Sequence, residues 1–213
     1  IKKRILDIAK IGSLGYHPTN LPYNRGRHPI IWTLVLGIKS TYSSFFFMNE
    51  KADFGHIIDQ KKVKINNQDN SWKVYKKLSK IASKQLIKVL NHIQDKPNFY
   101  GRKRKSSVLK NKYNFWRKRD INDGKIDWRM SSSSIFNLVR ALDKPFPGSF
   151  FTFRNRVYKV WKIKVKNNNN KINFEPGKVI NLVNKKPEIK CGEGSIILKN
   201  VSPNLNIKIG DYL

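Results

Sequence analysis

Cysteine occurs once in this chain, at Cys191, so no internal disulfide can form. A lone thiol suits a reducing compartment, and the expected location is the cytoplasm. The chain has four histidines and no Cys/His group at ligand spacing, so no metal site is assigned. Long apolar runs are also missing. The longest, Ile30 to Leu36, falls far short of the about 20 residues a membrane helix needs. No signal-peptide pattern opens the chain, and no membrane partner is expected. Acidic residues are scarce, 14 against 44 Lys and Arg, which leaves a net charge of +30. Basic chains attract nucleic acid, and Arg102-Lys103-Arg104-Lys105 invites that reading. Lys, Ile and Asn nevertheless recur everywhere, including the run Asn167-Asn168-Asn169-Asn170, and all three have A/T-rich codons. The charge is therefore read first as coding bias and solubility, and only second as a polyanion surface.

What is present suffices for packed cores: 39% of the 213 residues are hydrophobic and 12% aromatic. The chain opens in what reads as a helix over residues 1–10, followed by a short apolar run over 11–16 readable as a buried parallel strand. Pro29 suits a first helical turn, and the apolar residues after it predict a buried helix ending at Gly37. Residues 41–48, rich in β-branched and aromatic side chains, predict a strand, and 55–65 predict an extended segment. A long amphipathic helix is expected over 69–93, with Trp72, Tyr75, Leu78, Ala82, Leu86, Val89 and Ile93 turned to the core and Pro97 ending it. Residues 98–124 are polar and basic, and read as a linker. Ile135, Leu138, Val139 and Leu142 mark a second amphipathic helix stopped by Pro145. Beyond Gly148 short strands are expected near 161–165, 178–183, 189–191, 195–198 and 206–209, spaced as in a small barrel or sandwich.

The most informative segment runs from Leu14 to Pro29. Within it stand His17-Pro18-Thr19-Asn20-Leu21-Pro22-Tyr23-Asn24-Arg25-Gly26-Arg27-His28-Pro29, and thirty-six residues after His17 comes Asp53-Phe54-Gly55. A histidine and an aspartate on separate turn-forming loops are a minimal acid/base pair. The ordinary alternatives are a capping or core histidine and a turn-forming aspartate.

Both motifs, in this order and at this distance, resemble the active site of the formyltransferase family. That family includes methionyl-tRNA formyltransferase and the sugar N-formyltransferases. Its motif runs His-Pro-Ser/Thr-x-Leu-Pro-x-x-Arg-Gly-x-x-Pro, with Asp-x-Gly one strand later. A second resemblance, to the family's C-terminal domain, rests on Asp123-Gly124-Lys125-Ile126-Asp127-Trp128, on Ile135…Leu138-Val139-Arg140-Ala141, and on Pro145-Phe146-Pro147-Gly148-Ser149-Phe150. The tail segments Lys190-Cys191-Gly192-Glu193-Gly194 and Ile207-Lys208-Ile209-Gly210-Asp211 extend it.

The resemblance implies an α/β fold: the C-terminal part of a Rossmann-like formyltransferase domain (residues 1–98), a basic linker and helix (99–146), and a small OB-like β-barrel (147–213). It also implies that roughly ninety residues carrying the early strands precede Ile1 in a whole family member, an estimate from typical domain size. The implied cosubstrate is 10-formyltetrahydrofolate, without a metal. His17 and Asp53 are the implied catalytic residues, with Asn20, a backbone N–H of the motif loop or His17 itself left to hold the formyl oxygen. Leu21, Pro22, Arg25 and Gly26 are implied to border the folate. Tyr113, Trp116, Arg117 and Arg119 mix aromatics with cations, as a base ring and a phosphate require, and His28 and His56 are read as flanking residues. The pattern leans to the sugar branch, so the implied acceptor is the amine of a nucleotide-linked amino sugar. Methionyl-tRNA is the alternative, and a non-catalytic nucleic-acid-binding protein using the barrel is a third reading. The oligomeric state is open, a homodimer included. One departure stands out: the family's asparagine two residues before the histidine is here Gly15. Restoring it by Gly15→Asn is expected not to abolish activity, with a gain open.

Overall fold

The computed structural model describes residues 2–96, 114–166 and 173–213. Pro97, the basic run at 102–105, Tyr113 and the asparagine run at 167–170 lie outside the described residues. The chain divides into two compact units, the first formed by Ile1–Thr33, Ile38–Gln68 and Lys73–Arg119, the second by Leu34–Gly37, Asp69–Trp72 and Asp120–Leu213. Each is mixed α/β.

In the first unit, β1 (Leu14–His17), β3 (Ser40–Phe47) and β4 (Ile57–Lys64) form one sheet in the order β1-β3-β4. Both pairings are antiparallel, with Gly15 opposite Phe46 and His17 opposite Ser44. This corrects the expected parallel strand at 11–16: four residues cannot reveal strand direction, because the pleat alternates side chains identically either way. A two-residue strand β2 (Arg25–Gly26) pairs in parallel with β5 (Phe115–Trp116). The expected helix over 1–10 reduces to a single turn, α1 (Lys3–Leu6), with no buried residue. Short helices need an apolar face packed against something to persist.

Helix α2 (Pro29–Val35) begins on Pro29, whose fixed φ fits a first turn. It ends at Val35, and Gly37 just beyond adopts φ +66°. Helix α3 (Ser71–Asp95) lies where periodicity predicts it, with an inward face that keeps Leu78 and Val89 of the expected stripe but not all of it. Val74, Leu78, Gln85 and Val89 are buried, whereas Trp72, Tyr75 and Leu86 are exposed. The reason is polar. The fully buried Gln85 donates from Nε2 to Ser43 O at 3.2 Å and to Asp59 Oδ2 at 2.9 Å, so β3 and β4 select the face carrying that amide.

In the second unit, α4 (Ser132–Ala141) is capped by Ser131, whose Oγ accepts the Ser134 N–H at 3.1 Å. Ile135, Leu138, Val139 and Leu142 are all buried, as the spacing requires. Strands β6 (Ser149–Phe153), β7 (Arg156–Lys166), β8 (Val179–Val183), β9 (Lys186–Lys190) and β10 (Ser195–Ser202) form one antiparallel sheet in the order β6-β7-β10-β9-β8. Its core is Phe151, Val160, Ile189, Ile196, Ile197 and Leu198. Among the described residues no pairing joins the edges β6 and β8, so the sheet is open where a closed barrel was expected. The strand expected at 206–209 is not formed; the tail instead makes a single bridge between Lys178 and Tyr212. Buried Glu188 accepts from Ser195 Oγ at 2.7 Å and from Lys166 Nζ at 3.2 Å, which compensates its charge inside the sheet.

Candidate active site

Strand β1 delivers His17 to its C-terminal end, where the ring is buried at 6% exposure. The chain then leaves regular structure, and its carbonyls are satisfied by the sheet beneath. Thr41 Oγ1 donates to Pro18 O at 2.7 Å, Ser44 Oγ to Thr19 O at 2.5 Å, and Gln60 Nε2 to Leu21 O at 3.0 Å. Irregular backbone in a buried position needs such partners, and here β3 and β4 supply them. Leu21 and Pro22 are buried within this loop. Asn20 is half-buried; its carbonyl accepts the Tyr23 N–H at 2.8 Å, and its side chain makes no hydrogen bond among the described residues.

The loop returns to the histidine at Asn24. His17 Nε2 lies 3.2 Å from Asn24 O, and a carbonyl can only accept, so Nε2 carries the proton and Nδ1 holds the lone pair of the neutral ring. Asn24, at φ +58°, is held by Asn114, which accepts its N–H at 2.8 Å and donates to its side-chain oxygen at 2.8 Å. The other ring nitrogen, Nδ1, stands 3.7 Å from Asp53 Oδ1. That is too long for a hydrogen bond and short enough for the carboxylate to favour a protonated ring.

Asp53 sits in a turn between β3 and β4 with φ +63°, a left-handed conformation that aspartate tolerates better than most residues. Arg25 Nε donates to its carbonyl at 2.7 Å, and the Gly26 N–H donates to Oδ2 at 3.3 Å. The turn closes through Gly55, where an added Cβ would stand 1.4 Å from Phe47 O, so no other residue fits. The Arg25 guanidinium lies 3.6 Å over the Phe54 ring, which stacks on Phe115 at 6.2 Å.

Burial pushes the His17 pKa below its ordinary value by disfavouring the imidazolium. The Asp53 charge and the Asn24 carbonyl act the other way, and the Arg25 charge adds to the lowering. The ring is therefore neutral near pH 7.

His17, Asp53, Arg25 and Gly26 are thus brought into one connected group. Trp116 is instead largely buried, with its carbonyl accepting the Arg27 N–H at 2.9 Å. The aromatic ring facing the cations is Trp32 of α2: Arg117 and Arg119 lie 5.4 and 4.8 Å from its centroid, and its Nε1 donates to Arg117 O at 3.0 Å. Sequence reasoning missed Trp32, because its apolar neighbours read as helix core. It also missed Asn24, since nothing local marks a partner at Asn114. His28 is exposed, and His56 contributes its carbonyl to the Phe47 N–H at 2.8 Å.

At Gly15, on the same face of β1 as His17, an added Cβ would meet Phe46 Cζ at 2.6 Å and Met48 Cγ at 2.8 Å. Among the described residues no group of three or more His, Cys, Asp or Glu is placed to hold a metal. No helix among them is long and apolar enough to cross a membrane.

Two family models match the chain: formyl transferase over residues 1–90, and formyl transferase, C-terminal domain, over residues 119–209. The chain is 34% identical over 183 residues to the methionyl-tRNA formyltransferase of Halothermothrix orenii, covering 84% of this chain and 55% of that protein. It is also 34% identical over 195 residues to the bifunctional polymyxin resistance protein ArnA of Wigglesworthia glossinidia brevipalpis, covering 85% of this chain and 26% of that one. The chain therefore spans about half of one relative and a quarter of the other. In fold it is similar to the N-formyltransferase from Helicobacter canadensis solved in complex with folinic acid and dTDP-3-aminofucose. The TM-score is 0.63 at 20% identity, over 87% of this chain and 65% of that one. With both domain models in order along the chain, and His17 and Asp53 brought together between β1 and the β3–β4 turn, the chain belongs to the formyl transferase family.

Proposed function

We propose that the protein transfers a formyl group from 10-formyltetrahydrofolate to a primary amine, with a nucleotide-linked amino sugar as the acceptor. The observation that carries this reading is the buried His17, with Nδ1 facing Asp53 Oδ1 at 3.7 Å. Amine attack on the formyl carbon forms the new C–N bond and releases a proton, and the bond to the folate nitrogen breaks as that nitrogen is protonated. A neutral histidine is a suitable acceptor for the amine's proton. With Nε2 engaged at Asn24 O, the base is Nδ1, and the imidazolium so formed faces the Asp53 carboxylate. Low exposure strengthens that charge interaction over what water would allow. Leu21, Pro22 and Gly26 belong to the loop we assign to the folate side, and Asn20 is the loop amide assigned to the formyl oxygen.

For the acceptor we assign Trp32 with Arg117 and Arg119. Two guanidinium groups about an indole suit an aromatic base and a phosphate together. Methionyl-tRNA remains the second acceptor reading, favoured by the 34% identity to the Halothermothrix enzyme. We read the open sheet of the second unit as an OB-like module. We take a cytoplasmic setting from the single cysteine; Cys191 is buried, and burial pushes its pKa up to about 12, leaving it poorly reactive.

The test is formyl transfer from 10-formyltetrahydrofolate to a panel of nucleotide-linked amino sugars and to methionyl-tRNA. Turnover with an amino sugar and none with tRNA supports the leading reading. The reverse replaces it with the tRNA reading, and turnover with neither amine class by folded protein overturns both.

A further inference from the structure

Arg25 stands on β2 at 5% exposure, and its contacts run to the Asp53 turn. Its Nε–H donates to Asp53 O at 2.7 Å, and its guanidinium lies 3.6 Å over the ring of Phe54, the next residue of that turn. Gly26, adjacent on β2, donates its N–H to Asp53 Oδ2 at 3.3 Å. Two neighbouring residues of one strand thereby hold the carbonyl and the carboxylate of a single aspartate, whose φ of +63° is left-handed. The strand is itself anchored, since Arg25 and Gly26 pair with Phe115 and Trp116, and Phe115 stacks on Phe54.

We infer that Arg25 is a positioning residue, which clamps the Asp53–Phe54 turn and so sets the aspartate carboxylate against Nδ1 of His17. This deepens the proposed acid/base reading and rests on it for the link to catalysis. Arginine suits the task where lysine does not: one N–H must point at a carbonyl while the flat face of the same group covers an aromatic ring, and an ammonium has no such face.

Two roles for Arg25 give opposite signs at His17. The charged groups that act on the ring are the Asp53 carboxylate, which raises its pKa, and the Arg25 guanidinium, which lowers it, with the Asn24 carbonyl adding to the raising side. If Arg25 acted only as a nearby charge, removing it would raise the pKa of His17. If it holds the Asp53–Phe54 turn, removing it lets the turn move and carry the carboxylate away from His17. The larger raising influence is then lost together with the smaller lowering one, and the pKa falls.

The experiment is an NMR titration of the histidine ring signals in the full chain, assigned with His17→Gln, for the parent, Arg25→Met, Arg25→Lys, Phe54→Leu and Asp53→Asn. The expected result is a lower His17 pKa in Arg25→Met and in Arg25→Lys, both approaching Asp53→Asn, and a smaller shift of the same sign in Phe54→Leu. Steady-state kinetics should show the loss in kcat, on the order of 10²-fold, with the KM for 10-formyltetrahydrofolate kept within about twofold. A pKa that rises in Arg25→Met and stays put in Arg25→Lys overturns the assignment, as does a loss confined to the KM of the formyl donor. Phe54→Leu removes only the face under the guanidinium and keeps the question open to measurement if Arg25→Met does not fold. Absence of formyl transfer in the parent would overturn the reading of the reaction, while the titration still decides whether Arg25 places Asp53.

Discussion

Phe46 fills the space that a side chain at Gly15 would need: the two residues are paired across β1 and β3, and an ideal Cβ at position 15 would stand 2.6 Å from Phe46 Cζ. Phe46 is itself buried, and Met48 closes the same space from the side. To the expectation that Gly15→Asn does not abolish activity, this packing adds a cost in stability. Gly15→Asn should destabilise the protein by roughly 1–3 kcal/mol, the usual cost of overpacking. Adding Phe46→Leu, which deletes the clashing ring atoms, should recover part of that loss. Urea midpoints of the parent, single and double variants check this. A Gly15→Asn protein as stable as its parent would mean that Phe46 and Met48 yield freely.

A pH dependence follows from the burial of His17. Burial holds its pKa below the ordinary histidine value, and only the neutral ring can accept the amine's proton, so the acid limb of kcat/KM should lie below that of an ordinary histidine. The Asp53 charge raises the His17 pKa, so Asp53→Asn should shift the remaining activity's acid limb to lower pH. A pH–rate profile of both proteins decides. An acid limb that moves to higher pH in Asp53→Asn would contradict the arrangement.

Much of this was legible in the sequence because local rules govern it. Pro29 and Gly37 mark the two ends of α2, and the stripe Ile135, Leu138, Val139 and Leu142 announces α4. The two motif segments pair His17 with Asp53 from the order and spacing of residues. The remainder depends on contacts that periodicity does not register. A hydrophobic stripe cannot show that Gln85 is the residue α3 buries, since the choice rests on Ser43 and Asp59 across the sheet. Strand direction is silent in a four-residue pattern, which is how antiparallel β1 came to be expected as parallel. The pairing of Asn24 with Asn114, ninety residues apart, leaves no local trace, nor does the choice of Trp32 over Trp116 as the ring beside Arg117 and Arg119.

The charge of +30 should behave as a solvated, nonspecific one. Binding to unrelated RNA or DNA should be weak and collapse with salt, by about 10³-fold or more between 50 and 200 mM if six or more phosphates are contacted. Fluorescence anisotropy across a salt series measures it. A sub-micromolar, structure-selective complex with tRNA at physiological salt would instead promote the tRNA acceptor.

The most direct measurement is single-turnover formyl transfer from 10-formyltetrahydrofolate by the parent, His17→Ala and Asp53→Asn, with circular dichroism confirming that each variant is folded. Loss of the base at His17 should lower the rate by about 10²–10⁴-fold, and Asp53→Asn should lower it in the same sense, with each fold preserved. Parent-like turnover in a folded His17→Ala protein would contradict the assignment of the 3.7 Å His17–Asp53 pair as the centre of the reaction.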